Sequence, residues 1–214
     1  SDVFLKYAKE VRHISESTLN NLKITEGKDW MPKAKENIST IHFNYFLNDE
    51  LINIKYRGKN KDFKLHKDSE KIFYNLDSIA TDKECVIVEG EWDVCAFVES
   101  KIYNVISVPN GFTVKGDIKL DYLDNYYNYF ENKERIYLAL DADEAGRKGQ
   151  AEFITRLGAD KCYLIDFKDC KDANEYLIKY GANELNKLKK EAKQVPLEHV
   201  ETLKDFEADL DDFY

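Results

Sequence analysis

From residue 85 onward, short apolar runs alternate with stretches of helical period, and this alternation restricts the possible folds more than any other feature. Val86, Ile87 and Val88 form an unbroken apolar run, as expected of a strand buried on both faces of a parallel sheet. A helical stretch at 92–101 and a strand at 105–108 follow. Leu120, Leu123, Tyr127 and Phe130 then share one face of an amphipathic helix near 119–132. Residues 136–140 read as a third strand and 144–157 as a helix closed by Gly158; 163–165 read as a fourth strand and 173–180 as a helix stopped by Gly181. The pattern predicts an α/β fold: a mostly parallel four-stranded sheet flanked by helices, with right-handed crossovers.

The residues ahead of this block predict a small N-terminal α+β subdomain over 1–80, with the sheet domain over 81–181. Residues 2–11 suit a helix, and Ser15 reads as the N-cap of a second one over 16–22. Strand-like stretches at 38–46 and 51–56 are joined by Asn48-Asp49, a hairpin signal. Residues 183–194 read as one more polar helix, and Pro196 opens an acidic tail, so 182–214 is assigned as a C-terminal helix and linker. No run approaches ~18 apolar residues, which excludes a membrane-spanning helix, and charges throughout the first thirty residues argue against a signal peptide. The chain opens on Ser1 and its sole methionine is Met31, so a piece of a longer protein is expected. Cys85, Cys95, Cys162 and Cys170 form no C-x-x-C pair; reduced thiols, a cytoplasmic setting and no zinc are the expectation.

The formal charge of −9 looks wrong for a nucleic-acid binder until it is divided along the chain. Residues 198–214 hold seven acids and one lysine. Lys55, Arg57, Lys59, Lys61, Lys64 and Lys67 form a basic stripe interrupted only by Asp62. The stripe could guard an edge strand against aggregation, or contact phosphates.

Acids fall where ligands bind in open α/β sheets, beyond the carboxyl ends of the strands. Glu89 ends the first predicted strand and Asp141 the third, with Asp143 two residues on. The loop after the fourth strand carries Asp169 and Asp172. Carboxylates brought together in this way must take up protons or a cation. With all four histidines outside residues 85–181, an all-oxygen site favours Mg²⁺ or Mn²⁺, and with them phosphoryl or nucleotidyl transfer. Each acid also has a structural reading: Asp143 and Asp172 as helix caps, Glu89-Gly90 as a turn. Tyr122, Tyr126, Tyr127 and Tyr129 invite a base-stacking role, but their helical spacing favours packing.

At these residues the sequence resembles the TOPRIM family of primases, topoisomerases and some nucleases, whose signature is a Glu after the first strand and a D-x-D after the third. Glu89, Asp141 and Asp143 match it. The likeness is closer to the primase half of phage-type and mitochondrial-type primase–helicases. It rests on Val88-Glu-Gly-Glu-Trp-Asp93, Asp141-Ala-Asp-Glu-Ala-Gly-Arg147, Lys171-Asp-Ala-Asn-Glu175 and Lys55-Tyr-Arg-Gly-Lys-Asn-Lys-Asp-Phe-Lys64, with Ile14-Ser-Glu-Ser-Thr-Leu19 as the opening helix. The resemblance implies a TOPRIM fold and a catalytic core making RNA primers on a single-stranded DNA template from nucleoside triphosphates. It implies Glu89 as metal-linked and as candidate general base, Asp141 and Asp143 on Mg²⁺ or Mn²⁺, and Asp172 as an outer carboxylate. Lys55, Arg57, Lys61 and Lys64 would contact nucleotide and template phosphates.

Neither a four-cysteine zinc module nor a G-x-x-x-x-G-K-[ST] motor motif is present in the sequence. The resemblance therefore implies a polymerase core from a bacterial or phage replication protein, with a replicative helicase domain as partner in the parent chain. A TOPRIM nuclease would not require the basic stripe. A haloacid-dehalogenase-type phosphatase would carry its D-x-D after the first strand. A non-catalytic module docking DNA or helicase would bind nucleic acid without the carboxylates.

Overall fold

The computed structural model describes residues 1–196; the remainder of the acidic tail, 197–214, lies outside the described residues. Two helices open the chain, α1 (Asp2–Val11) and α2 (Glu16–Asn21). Ser15 caps α2 as expected, its hydroxyl accepting the Thr18 N–H. The same hydroxyl donates to Glu99 at 2.8 Å, tying the cap to the end of the helix over Glu91–Glu99.

Four antiparallel strands follow in meander order: β1 (Thr25–Met31), β2 (Glu36–Leu47), β3 (Glu50–Arg57) and β4 (Phe63–Leu65). Asn48 and Asp49 link β2 to β3 with φ of 51° and 65°, the left-handed pair of a type I′ hairpin turn. β1 was not legible in the sequence, because Thr-Glu-Gly-Lys-Asp-Trp-Met is an edge strand with little apolar alternation. β3 pairs with β4 so that Lys55 faces Leu65, Tyr56 faces Lys64, and Arg57 faces Phe63.

The second sheet contains β5 (Glu84–Val88), β6 (Val105–Ser107), β7 (Arg135–Ala139), β8 (Cys162–Leu164) and β9 (Lys193–Gln194), in the order β6-β5-β7-β8-β9. The first four are parallel, giving the expected α/β architecture. β9 adds a fifth, antiparallel strand on β8, so the sheet is mixed. The helices are α3 (Glu91–Glu99), α4 (Asp121–Asn125), α5 (Asn128–Glu131), α6 (Glu144–Leu157), α7 (Ala173–Tyr180) and α8 (Ala182–Lys190). The helix expected over 119–132 is two short ones, broken at Tyr126 and Tyr127. The polar helix expected over 183–194 stops at Lys190, leaving its last residues to form β9.

Strand alternation divides the core in two. Val86, Val88, Tyr137 and Ala139 face α3, α7, α8 and the first sheet's Phe43 and Tyr45. Cys85, Ile87, Ile136 and Leu138 face Leu123, Phe130, Phe153 and Leu157 on the other side. At ~1.5–3 kcal/mol for each fully buried large apolar side chain, burial on both faces makes this sheet the rigid frame of the molecule. Phe43 and Trp92 meet edge to face at 5.4 Å, which seats the antiparallel sheet against α3. All four cysteines are free and buried.

Candidate active site

β5 and β7 are neighbours in register, with Val88 opposite Ala139, so Glu89 and Asp141 emerge from adjacent strand ends. The Ala142 N–H donates to the Lys171 carbonyl at 2.9 Å, bringing the loop after β8 to the same edge. The result is a cleft of about 380 Å³ between the two sheets. Glu89, Asp141 and Asp172 line one side, while Lys55, Arg57, Lys61 and Phe63 line the other, with Arg12 beside them. The structure thus joins six of the eight residues singled out in the sequence.

The other two do not line the cleft. Lys64 alternates to the opposite face of β4 from Phe63, and its ammonium lies 5.0 Å from the Tyr56 ring centre. Asp143 sits at the rim as N-cap of α6, accepting the Gly146 N–H at 3.0 Å, which holds its carboxyl below the usual range. Asp172 likewise caps α7 through the Glu175 N–H at 2.8 Å, while still facing the cleft. The capping readings of both aspartates therefore hold, without removing either from the strand-end corner.

Glu89 is a strongly perturbed carboxyl. Its Oε1 accepts the Phe112 N–H at 3.3 Å, and its Oε2 is buried with no partner among the described residues. Burial, then the charge of Asp141, pushes it up to about 7. Gly111 leaves room for that carboxylate: a Cβ there would stand 2.9 Å from Oε1. Asp141 is also raised, chiefly by burial, although Lys171 partly offsets the shift. Among the described residues no three Asp, Glu, His or Cys side chains converge closely enough to hold an ion as they stand. Instead, Lys171 Nζ lies 2.7 Å from Asp141 Oδ2 and 3.4 Å from Asp143 Oδ2.

The cations differ in freedom. Lys55 is engaged at 2.7 Å by Glu91, a buried carboxylate that also accepts the Tyr45 hydroxyl at 2.6 Å. This pairing locks β3 to the start of α3, so Lys55 serves first as a structural cation. Among the described residues Arg57 makes no such ion pair; burial, then the nearby Arg12, lowers its pKa, and the charges of Glu91 and Asp93 offset this only in part. Arg12 is fixed by the Tyr7 hydroxyl at 2.9 Å and by Asn174 Oδ1 at 3.0 Å, and its guanidinium lies over Trp92. Asp93 is buried behind the floor, accepting the N–H of Asn174 at 3.0 Å and of Gly90 at 3.2 Å. Burial and the charges of Asp172 and Asp141 raise it well above the carboxylate range.

Sequence reasoning did not assign roles to Arg12, Glu91, Asp93, Lys171 or Asn174. Glu91, Asp93, Lys171 and Asn174 lie inside the quoted motifs, so the motifs themselves were the available signal; Arg12, alone after a helix, gave none. Of the four tyrosines, Tyr122 packs against Phe73 with ring centres 4.9 Å apart, and Tyr126 donates to Glu70.

Comparison with known proteins bears on the family and the fold. A family model described as Toprim-like matches residues 86–177. The Twinkle homolog protein, chloroplastic/mitochondrial, of Arabidopsis thaliana is 31% identical over 95% of this chain and 30% of its own length. The Primase homolog protein of the same plant is 33% identical over 87% of this chain and 58% of its own length. The chain thus spans about a third and somewhat more than half of these curated relatives. A solved structure of the bacteriophage T7 lagging-strand DNA polymerase with primase domains bound to an RNA/DNA hybrid and dTTP superposes with a TM-score of 0.70. The match is 27% identical and covers 86% of this chain and 91% of that one.

A Glu after one strand and a D-x-D after its neighbour, on a mostly parallel sheet, lie within the matched segment, and residues 86–177 belong to the Toprim-like family. Within it, the chain is similar to proteins named as a Twinkle homolog and a primase homolog, and to solved primase domains.

Proposed function

We propose that the chain is the catalytic core of a DNA primase, joining ribonucleoside triphosphates into short RNA primers on single-stranded DNA. The observation that carries this reading is the cleft itself, with cations on one wall and strand-end carboxylates on the other. An all-oxygen donor set and the unpartnered, buried Glu89 Oε2 suit Mg²⁺ or Mn²⁺. Glu89 and Asp141 would hold the metal, with Asp143 and Asp172 at its edge. A divalent cation there supplies charge stabilisation for the attacking and leaving oxygens.

The chain's own residues do the rest. Arg57, Lys61 and Arg12 offer sequence-independent attraction for the phosphates of nucleotide and template. Lys55 holds the basic wall in register through Glu91. Phe63, 55% exposed within the cleft, offers an aromatic face to a base. Glu89 would also be the candidate to take the proton of the attacking 3′-hydroxyl. A replicative helicase, carried by the same parent protein, is the proposed partner.

The test is extension of an oligoribonucleotide annealed to single-stranded DNA, with labelled ribonucleotides and Mg²⁺. Asp141→Asn should abolish incorporation while leaving thermal stability equal or higher. Incorporation at the wild-type rate by that variant would refute the assignment.

A further inference from the structure

The carboxylate corner is not an open cage, because an ammonium group already stands in it. Lys171 pairs with both members of the D-x-D motif, and its backbone is anchored on either side. Its carbonyl accepts from Ala142 at 2.9 Å, and its N–H donates to Glu175 Oε2 at 2.7 Å. The backbone is thus pinned to the D-x-D loop, while the side chain remains 51% exposed and free to swing outward. Asp141, by contrast, has a side chain only 14% exposed and shares its side of the cleft with the like charges of Glu89 and Asp172.

We propose that Lys171 is the resident counter-cation of Asp141 and Asp143, exchanged for the divalent metal when the site loads. The inference rests on the metal-site reading above and adds a positioning residue to it. Two carboxylates at a strand end repel one another and need a positive neighbour to stay ordered. A tethered ammonium fills that need without metal. It then competes with the metal for the same oxygens. The chain would thereby trade some metal affinity for an ordered, metal-free corner.

Manganese titration followed by electron paramagnetic resonance tests the exchange on the chain in its present form, using wild type, Lys171→Gln, Lys171→Arg and Asp141→Asn. Removing a partly exposed competing charge predicts Mn²⁺ binding on the order of fivefold tighter in Lys171→Gln. Lys171→Arg, which keeps the charge, should bind close to wild type. Melting in chelator should be lower for Lys171→Gln than for wild type, with the gap closing as Mg²⁺ is added. Equal or weaker Mn²⁺ binding by Lys171→Gln overturns the proposal, yet leaves the metal site standing if Asp141→Asn alone abolishes binding. Loss of Mn²⁺ binding in every protein, wild type included, would overturn both. In the wild type, the Lys171 ¹³Cε resonance should shift on Mg²⁺ addition, and a silent resonance would also refute the exchange.

Discussion

Replacing Glu89 by glutamine removes a charge from the least hospitable place in the cleft, and should stabilise the metal-free protein in a pH-dependent way. Burial and Asp141 raise this carboxyl from its ordinary 4.5 to about 7. At ~1.4 kcal/mol per pH unit that rise corresponds to roughly 3 kcal/mol, and partial solvent access reduces it to about 1.5 kcal/mol. The folded chain keeps a proton on Glu89 that the unfolded chain has lost between pH 4.5 and about 7. Wild-type stability therefore falls with rising pH across that window and levels off above it. Glu89→Gln carries no such cost, so the two proteins should have similar stability at low pH and separate as the carboxylate ionises. By pH 8 the variant should melt ~3–6 °C higher, taking about 2–4 °C per kcal/mol for a chain of this size. Thermal unfolding in chelator from acidic to mildly alkaline pH measures this directly. A difference that does not change with pH would refute a buried, metal-seeking carboxylate at this position.

Three further outcomes follow from the same geometry. Glu91→Ala should cost ~3–5 kcal/mol in urea unfolding, because Lys55 would be left buried and unpaired; a loss below ~1 kcal/mol would show that Lys55 is free to face the cleft. Arg57→Ala should weaken nucleotide binding by about tenfold and flatten the salt dependence of DNA binding, measured by fluorescence anisotropy. Unchanged binding would return the stripe to an edge-strand role. Gly111→Ala should displace the Glu89 carboxylate and lower Mn²⁺ affinity in calorimetric titration more than it lowers stability.

The sheet that bears the carboxylates was readable because strands buried on both faces must be apolar throughout, as Val86-Ile87-Val88 is. The positions of Glu89 and Asp141 followed from strand ends alone. β1 was not readable, since an edge strand of polar residues leaves no periodic signal, and β9 is too short to leave one. The partnerships that set each side chain's freedom were also hidden, because they join distant residues. Lys55 reaches Glu91, Arg12 reaches Asn174, and Lys171 reaches back to Asp141. A basic stripe in sequence says how many charges are present, and only packing decides which remain available for phosphate. Alternation along β4 then removes Lys64 from the cleft and puts Phe63 into it, a consequence of register that no single strand encodes.

A crystal of this chain soaked in Mn²⁺ and measured at the manganese edge tests the central claim most directly. An anomalous peak in contact with carboxylate oxygens of both Glu89 and Asp141 is the expected result. A peak elsewhere, or none at that corner at saturating Mn²⁺, would contradict a metal-dependent nucleotidyl transfer centre.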